Sequence, residues 1–190
     1  MKEITSKLNT NIEGLRLFKA DIYKDSRGSF FRHWEKDTFS ALDFNVDFVQ
    51  DNISISHKDV LRGLHIQEPG YEQGKLVRSI QGGFLDVAVD LRTGSNTYGC
   101  HCKVELTQDN GYLFWIPKGF AHGFLSLSNG SIFVYKCDAP YAPEHDTGVL
   151  WNDKHINIDW KTNNALLSDK DEKLLKLSDY NFKYHSTKIA

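Results

Sequence analysis

Residues 102–137 read CKVELTQDNGYLFWIPKGFAHGFLSLSNGSIFVYKC, and the class of fold follows from them. CKVELT (102–107), YLFWIP (112–117), HGFLSLS (122–128) and SIFVYKC (131–137) are short runs of β-branched and aromatic residues, parted by the turn signals TQDNG and SNG. No helical pattern separates them, so neighbouring strands run antiparallel. Working outward, FVQDNISIS (48–56), KLVRSI (75–80) and GFLDVAVDLR (83–92) continue the series, with EPGYEQG and RTGSNTYG as turns. So many short strands predict an antiparallel jelly-roll sandwich or small barrel, mainly all-β. Helix signals lie toward the ends. DTFSALDF (37–44) starts at Asp37, a good N-cap, and LSDKDEKLLKLSD (167–179) starts at Ser168 with Asp171 three residues on, the spacing of a capping box. No repeat or linker interrupts the chain, and residues 1–190 read as one domain.

Composition narrows the classes of function. The chain has 190 residues, 40 % hydrophobic and 13 % aromatic, which excludes a disordered chain. With 23 Lys and Arg against 25 Asp and Glu and no basic run, nucleic acid is not an expected partner. No apolar run approaches a membrane span, and the opening MKEITSKLNTNIEG lacks a signal-peptide core, so a cytosolic protein is expected. Cys100 and Cys102 flank His101 in GCHC, but no second Cys or His pair stands at ligand spacing. The two cysteines read instead as small hydrophobes on one face of a strand start.

The chemistry-bearing residues cluster in VLRGLHIQEPGYEQGKLVRSIQGG (60–83), where Arg62, His65 and Lys75 stand among apolar neighbours. Further on, Gly111-x5-Pro117-x-Gly119-x2-His122 resembles the second motif of the cupin superfamily, a jelly-roll barrel whose equivalent histidine often binds metal. The metal-binding cupins' first motif has a His-x-His pair, where this chain has His65-Ile66-Gln67, so the ligand set is short and no metal is expected. Free of metal, His65 and His122 are imidazoles suited to general base work near neutral pH. Lys75 offers fixed positive charge and Tyr135 a phenolic proton. A base, a cation and an acid around one cavity suit proton abstraction next to a carbonyl, and hence epimerisation. Each has a plainer reading as well: His65 a satisfied strand residue, Lys75 solvated, Tyr135 core, Asp171 a helix cap.

Nine stretches occur in order: FVQDN (48–52), VLRGLHIQ (60–67), QGKLVR (73–78), DVAVDLR (86–92), WIPKGFAHGFLSLS (115–128), YAPEH (141–145), WND (151–153), IDW (158–160) and LSDKD (167–171). Together they resemble the dTDP-4-dehydrorhamnose 3,5-epimerase family across about residues 12–175. The resemblance implies a cupin-type fold, no metal or organic cofactor, a nucleotide-linked 4-keto-6-deoxy sugar as substrate, and a homodimer formed by strand exchange. It places the base on His65, its orienting acid on Asp171, the opposite-face acid on Tyr135 and the enolate-stabilising cation on Lys75. Gln50, Asn52, Arg62, His122, Tyr141 and Asp146 would line the pocket. Arg27 would approach the diphosphate, and Tyr23 the base of the nucleotide.

Two features qualify this picture. Arg62 and His65 are three apart, so a regular strand would send them to opposite faces, and a bulge at Gly63 is expected. The chain also departs from the family at Arg32 for a common Glu, at Pro140-Tyr141 for paired tyrosines, and at Asp146 for Glu. Inversion at C3 only or C5 only, another nucleotide sugar, a silent sugar-binding cupin, or a metal-dependent cupin isomerase or oxygenase are the alternatives.

Overall fold

A computed structural model describes residues 1–8 and 10–184. The last part of the tail, 185–190, lies outside the described residues. Thirteen strands follow in chain order: β1 (Lys2–Glu3), β2 (Arg16–Lys19), β3 (Tyr23–Asp25), β4 (Gly28–Phe30), β5 (Gln50–Ser56), β6 (Leu61–Gln67), β7 (Lys75–Gln81), β8 (Gly83–Asp90), β9 (His101–Thr107), β10 (Tyr112–Ile116), β11 (Phe120–Ser126), β12 (Ser131–Cys137) and β13 (Asp146–Gly148). Six form one sheet in the order β1-β2-β10-β7-β12-β5, and five form a second in the order β13-β6-β11-β8-β9. The sheets face each other as a jelly-roll sandwich of cupin type, with every named strand pair antiparallel. The β3–β4 hairpin stands apart as its own two-stranded sheet.

The apolar residues divide among three packed layers. Between the sheets lie Leu17, Val77, Phe84, Phe114, Phe124 and Phe133. On the outer face of the five-stranded sheet, Leu64, Leu85, Val87 and Val89 are covered by the C-terminal segment through Val149, Ile156, Trp160 and Tyr184. On the outer face of the other sheet, Leu76, Leu113 and Trp115 are covered by Phe39 and Phe44. Hence β8 is buried along its whole length, because both its faces are covered. The cover of the six-stranded sheet stops short at its β5 edge, where Ile53 and Ile55 are 71 % and 66 % exposed.

Of the two predicted helices, one comes out shorter and the other does not form. The first is α1 (Lys36–Ser40), with Glu35 at the N-cap position and Asp37 inside the first turn. The second is no α-helix: Asp171–Lys173 and Leu177–Asp179 are single 3-10 turns, separated by extended backbone at Leu174. Tertiary contacts override the helical pattern there. The Leu150 N–H donates to the Leu175 carbonyl at 2.8 Å and the Leu177 N–H to Asp153 Oδ2 at 2.9 Å. Cys100 and Cys102 do not share a buried face either. Cys100 precedes β9 and is exposed, while Cys102 is buried within it. Among the described residues no helix is long and apolar enough to cross a membrane.

Candidate active site

A cavity of about 460 Å³ opens between the two sheets. One wall is built by β5, β7 and β12. Alternation along β5 sends Gln50, Asn52 and Ser54 inward, and β12 lies beside it with Asn52 paired to Tyr135 and Gln50 to Cys137. Lys75 enters from β7, paired with Cys137. The opposite wall is built by β6 and β11, where His65 pairs with His122. Segment 139–146 and the irregular segment 166–177 close the mouth with Tyr141, Asp146, Ser168, Lys170 and Asp171.

Gly63 solves the parity problem on β6. Between the pairs His122–His65 and Phe124–Arg62, β6 spends one residue more than β11, so the register shifts. That extra residue brings Arg62 and His65 to the same cavity. Gly63 has φ +129°, and a Cβ there would lie 2.5 Å from Gly123 Cα and 2.8 Å from the His122 carbonyl oxygen. Only glycine fits such a conformation at such a spacing.

Each imidazole is backed by a carboxylate. His65 Nε2 lies 2.6 Å from Asp171 Oδ1, and Asp171 Oδ2 accepts the Gly63 N–H at 3.4 Å. Burial alone would raise the Asp171 pKa, but the His65 contact, the Gly63 N–H and the Ser168 hydroxyl bring it below its ordinary value. The Ser168 half of the predicted capping box exists, since the Asp171 N–H donates to Ser168 Oγ at 3.2 Å. The carboxylate itself goes to His65 rather than to a cap. His122 Nε2 lies 2.9 Å from Asp86 Oδ2, at the dry centre of β8. There desolvation outweighs the imidazole and pushes the Asp86 carboxyl up. Asp86 Oδ1 has no partner among the described residues.

Burial also tunes the other two candidates. Desolvation lowers the Lys75 ammonium from its ordinary value, and the neighbouring Cys137, Asp146 and Asp86 only partly offset it. Burial raises the Tyr135 phenol, which keeps its proton at neutral pH. Arg62 makes one long contact, Nε to Ser56 Oγ at 3.4 Å. At the rim, Asp146 Oδ2 accepts both the Lys170 ammonium, at 2.5 Å, and the Tyr141 hydroxyl, at 2.8 Å. Fixed donors, a half-buried amine, a base and an acid around one space can remove a proton beside a carbonyl, hold the resulting oxyanion and return a proton from the other wall.

The donor set does not suit a transition metal. Gln67, which stands where a metal-binding cupin has its second histidine, is buried and committed to backbone: its amide bonds the Tyr71 and Pro140 carbonyls and the Ala142 N–H. Among the described residues no group of three or more His, Cys, Asp or Glu side chains gathers at ligating distance.

Of the residues expected from sequence, His65, Lys75, Tyr135, Asp171, Gln50, Asn52, Arg62, His122, Tyr141 and Asp146 all line this cavity. Tyr23 and Arg27 do not. They sit on the detached β3–β4 hairpin, facing other concavities, and Arg27 pairs with Asp25 at 2.6 Å in solvent. The hairpin joins neither large sheet, and within the chain Tyr23 and Arg27 do not reach the cavity. The sequence reading missed Ser54, Ile66, Gln67, Gln73, Phe124, Ser168 and Lys170. Period-two alternation with Gln50 and Asn52 was a signal for Ser54. Ser168 and Lys170 lie on irregular backbone, where no periodicity marks a face.

Comparison with known proteins gives a consistent result. The family model described as dTDP-4-dehydrorhamnose 3,5-epimerase matches residues 9–179. The enzyme of that name from Escherichia coli K12 is 46 % identical over 174 residues, covering 90 % of this chain and 94 % of its own. Its Shigella flexneri counterpart is 47 % identical over 165 residues, covering 86 % and 91 %. A crystal structure of the dTDP-6-deoxy-D-glucose-3,5-epimerase of Legionella pneumophila, in complex with dTDP-4-keto-L-rhamnose, superposes with a TM-score of 0.88 at 40 % identity, over 94 % of this chain and 97 % of that one.

Proposed function

The chain belongs to the dTDP-4-dehydrorhamnose 3,5-epimerase family, and from that membership and the cavity we propose that it converts dTDP-4-dehydro-6-deoxy-D-glucose to dTDP-4-dehydro-L-rhamnose. C3 and C5 both flank the C4 ketone, so one enolisation chemistry serves each. His65 removes the proton, and its Nε2–H, held by Asp171, leaves Nδ1 as the accepting nitrogen. Asp171 stays ionised and stabilises the imidazolium that forms. Lys75 holds the oxyanion at C4. Tyr135 gives its proton to the opposite face of the carbon and is reprotonated from solvent, while the His65 imidazolium releases the abstracted proton to solvent. Gln50, Asn52, Arg62, His122, Tyr141 and Asp146 hold the sugar and its diphosphate, with the Arg62 fork suited to a phosphate.

The observation that carries this reading is the placement of His65 and Tyr135 on facing sheets of one cavity. The experiment is turnover in deuterated water followed by NMR. Deuterium is expected at both C3 and C5, and none at either with His65→Ala. Uptake at one carbon only would reduce the activity to a single epimerisation, and full uptake in the variant would remove His65 as the base.

We infer further that the working unit is a homodimer formed by strand exchange, in the cytosol. The open edge of β5, the exposed Ile53, Ile55 and Ile80, and the free cysteines support this. In that assembly Tyr23 and Arg27 serve the partner's cavity. Mixing inactive His65→Ala and Arg27→Ala chains under exchange conditions is then expected to restore activity, because one mixed site regains both residues. No recovery on mixing would overturn the trans assignment.

A further inference from the structure

Asp171 is held by an unusual piece of chain. Residues 166–177 run over β6 as a strap of single turns and extended backbone, so no helical ladder fixes the residue that backs His65. The strap is positioned by discrete tethers. At its start, the Leu166 N–H donates to the Asp59 carbonyl, and the Leu61 N–H to the Leu166 carbonyl. At its far end, the Leu150 N–H reaches Leu175, and the Leu177 N–H enters a carboxylate outside the cavity, that of Asp153.

Asp153 is buried, and its two oxygens collect three backbone donors. Oδ1 accepts the N–H groups of His155 at 2.8 Å and Ile156 at 3.3 Å, and Oδ2 accepts that of Leu177 at 2.9 Å. One carboxylate thus joins the 151–156 turn to the strap, six residues beyond Asp171. An ionised carboxylate with three donors is a strong, directional anchor in a buried setting. An amide in its place keeps one acceptor and turns a donor toward N–H groups that already donate.

We propose that Asp153 is a positioning residue for the reaction: it fixes the strap so that Asp171 stays on His65 Nε2. This rests on the reading of Asp171 as the acid that orients the base. A misplaced Asp171 would leave the nucleotide sugar bound but the imidazole poorly oriented, so the effect falls on kcat rather than KM.

The test compares kcat, KM and thermal midpoint for Asp153→Asn, Leu177→Pro, Asp171→Asn and Asp153→Asn on the Asp171→Asn background. Leu177→Pro deletes the strap's donor together with the Leu177 side chain, which packs on the cover of the five-stranded sheet. Leu177→Ala, which loses that packing but keeps the N–H, is its control and should keep wild-type kcat. Leu177 opens a 3-10 turn and follows extended Lys176, so proline fits its backbone. The expected result is a fall in kcat of about tenfold for Asp153→Asn and about threefold for Leu177→Pro, with KM within about twofold, as for a loss of orientation alone. On the Asp171→Asn background, Asp153→Asn should lower kcat no further, since residues acting as a unit are not additive. Wild-type kcat in a folded Asp153→Asn or Leu177→Pro, or losses that multiply on the Asp171→Asn background, would overturn the proposal. Should Asp153→Asn fail to fold, Leu177→Pro alone decides. Failure of the underlying reading looks different, for then Asp171→Asn itself turns over at the wild-type rate.

Discussion

Two imidazole–carboxylate pairs face the same cavity, and they differ in where the carboxylate comes from. His122 and Asp86 are on adjacent regular strands, diagonal to each other, with His122 opposite Ala88 and Asp86 opposite Phe124, and both are buried. His65 is half-buried, and its partner arrives from an irregular strap 106 residues later. The burial that raises Asp86 is overcome at Asp171 by backbone and side-chain donors that favour the ionised form. The lesson is that a carboxylate next to a histidine does not define a catalytic pair. Asp86 is pressed toward neutrality and holds His122 as part of the wall. Asp171 keeps its charge and can stabilise an imidazolium.

The largest break in this comparison is expected from Asp171→Asn. Orientation and charge are both lost from the base, so kcat should fall on the order of 10³–10⁴, as for the equivalent change in a catalytic triad. Solvent-exchange kinetics at saturating substrate checks it, and a loss under about tenfold would put Asp171 back among structural caps.

Stability against pH gives a smaller but sharper contrast, because the two acids carry opposite signs. The folded pKa of Asp171 lies below its unfolded value, near 3.9. Its contribution is therefore present above that value and lost as pH falls through the folded pKa. Asp171→Asn should lower the thermal midpoint at pH 7, with the gap to wild type closing below about pH 4. The folded pKa of Asp86 is raised, so its favourable contribution is full only below the unfolded pKa and is lost as pH rises through the folded one. Asp86→Asn keeps an acceptor for His122 and should raise the midpoint by a few degrees at pH 7, with no gain near pH 4. Thermal melts of both variants from pH 4 to 8 check the signs, and curves that shift together would erase the distinction.

Much of the cavity's regular part was legible from sequence. The resemblance put Gln50, Asn52 and Tyr135 in one pocket, and the strands on which they stand were marked by FVQDNISIS, SIFVYKC and the turns around them. The spacing of Arg62 and His65 demanded an irregularity at Gly63, and the register shift lies there. The strap was misread as a helix, because its pattern of charges and leucines satisfies helical rules locally. Its fate depends on Leu150, Val149 and Asp153, which compete for its backbone through tertiary contact. Rim residues Ser168 and Lys170 were invisible for the same reason.

By itself, the sequence determined the strands and their antiparallel order, which follow from side-chain period and turn chemistry, both of them local. It offered His65, His122, Lys75 and Tyr135 as groups of the types enolisation needs, and only the resemblance to a family gave each of them a role. Tertiary structure alone decided which histidine receives an ionised partner, that Tyr23 and Arg27 lie outside their own chain's cavity, and where an irregular strap comes to rest. Those outcomes depend on desolvation and on contacts between residues far apart in the chain, which no local pattern records.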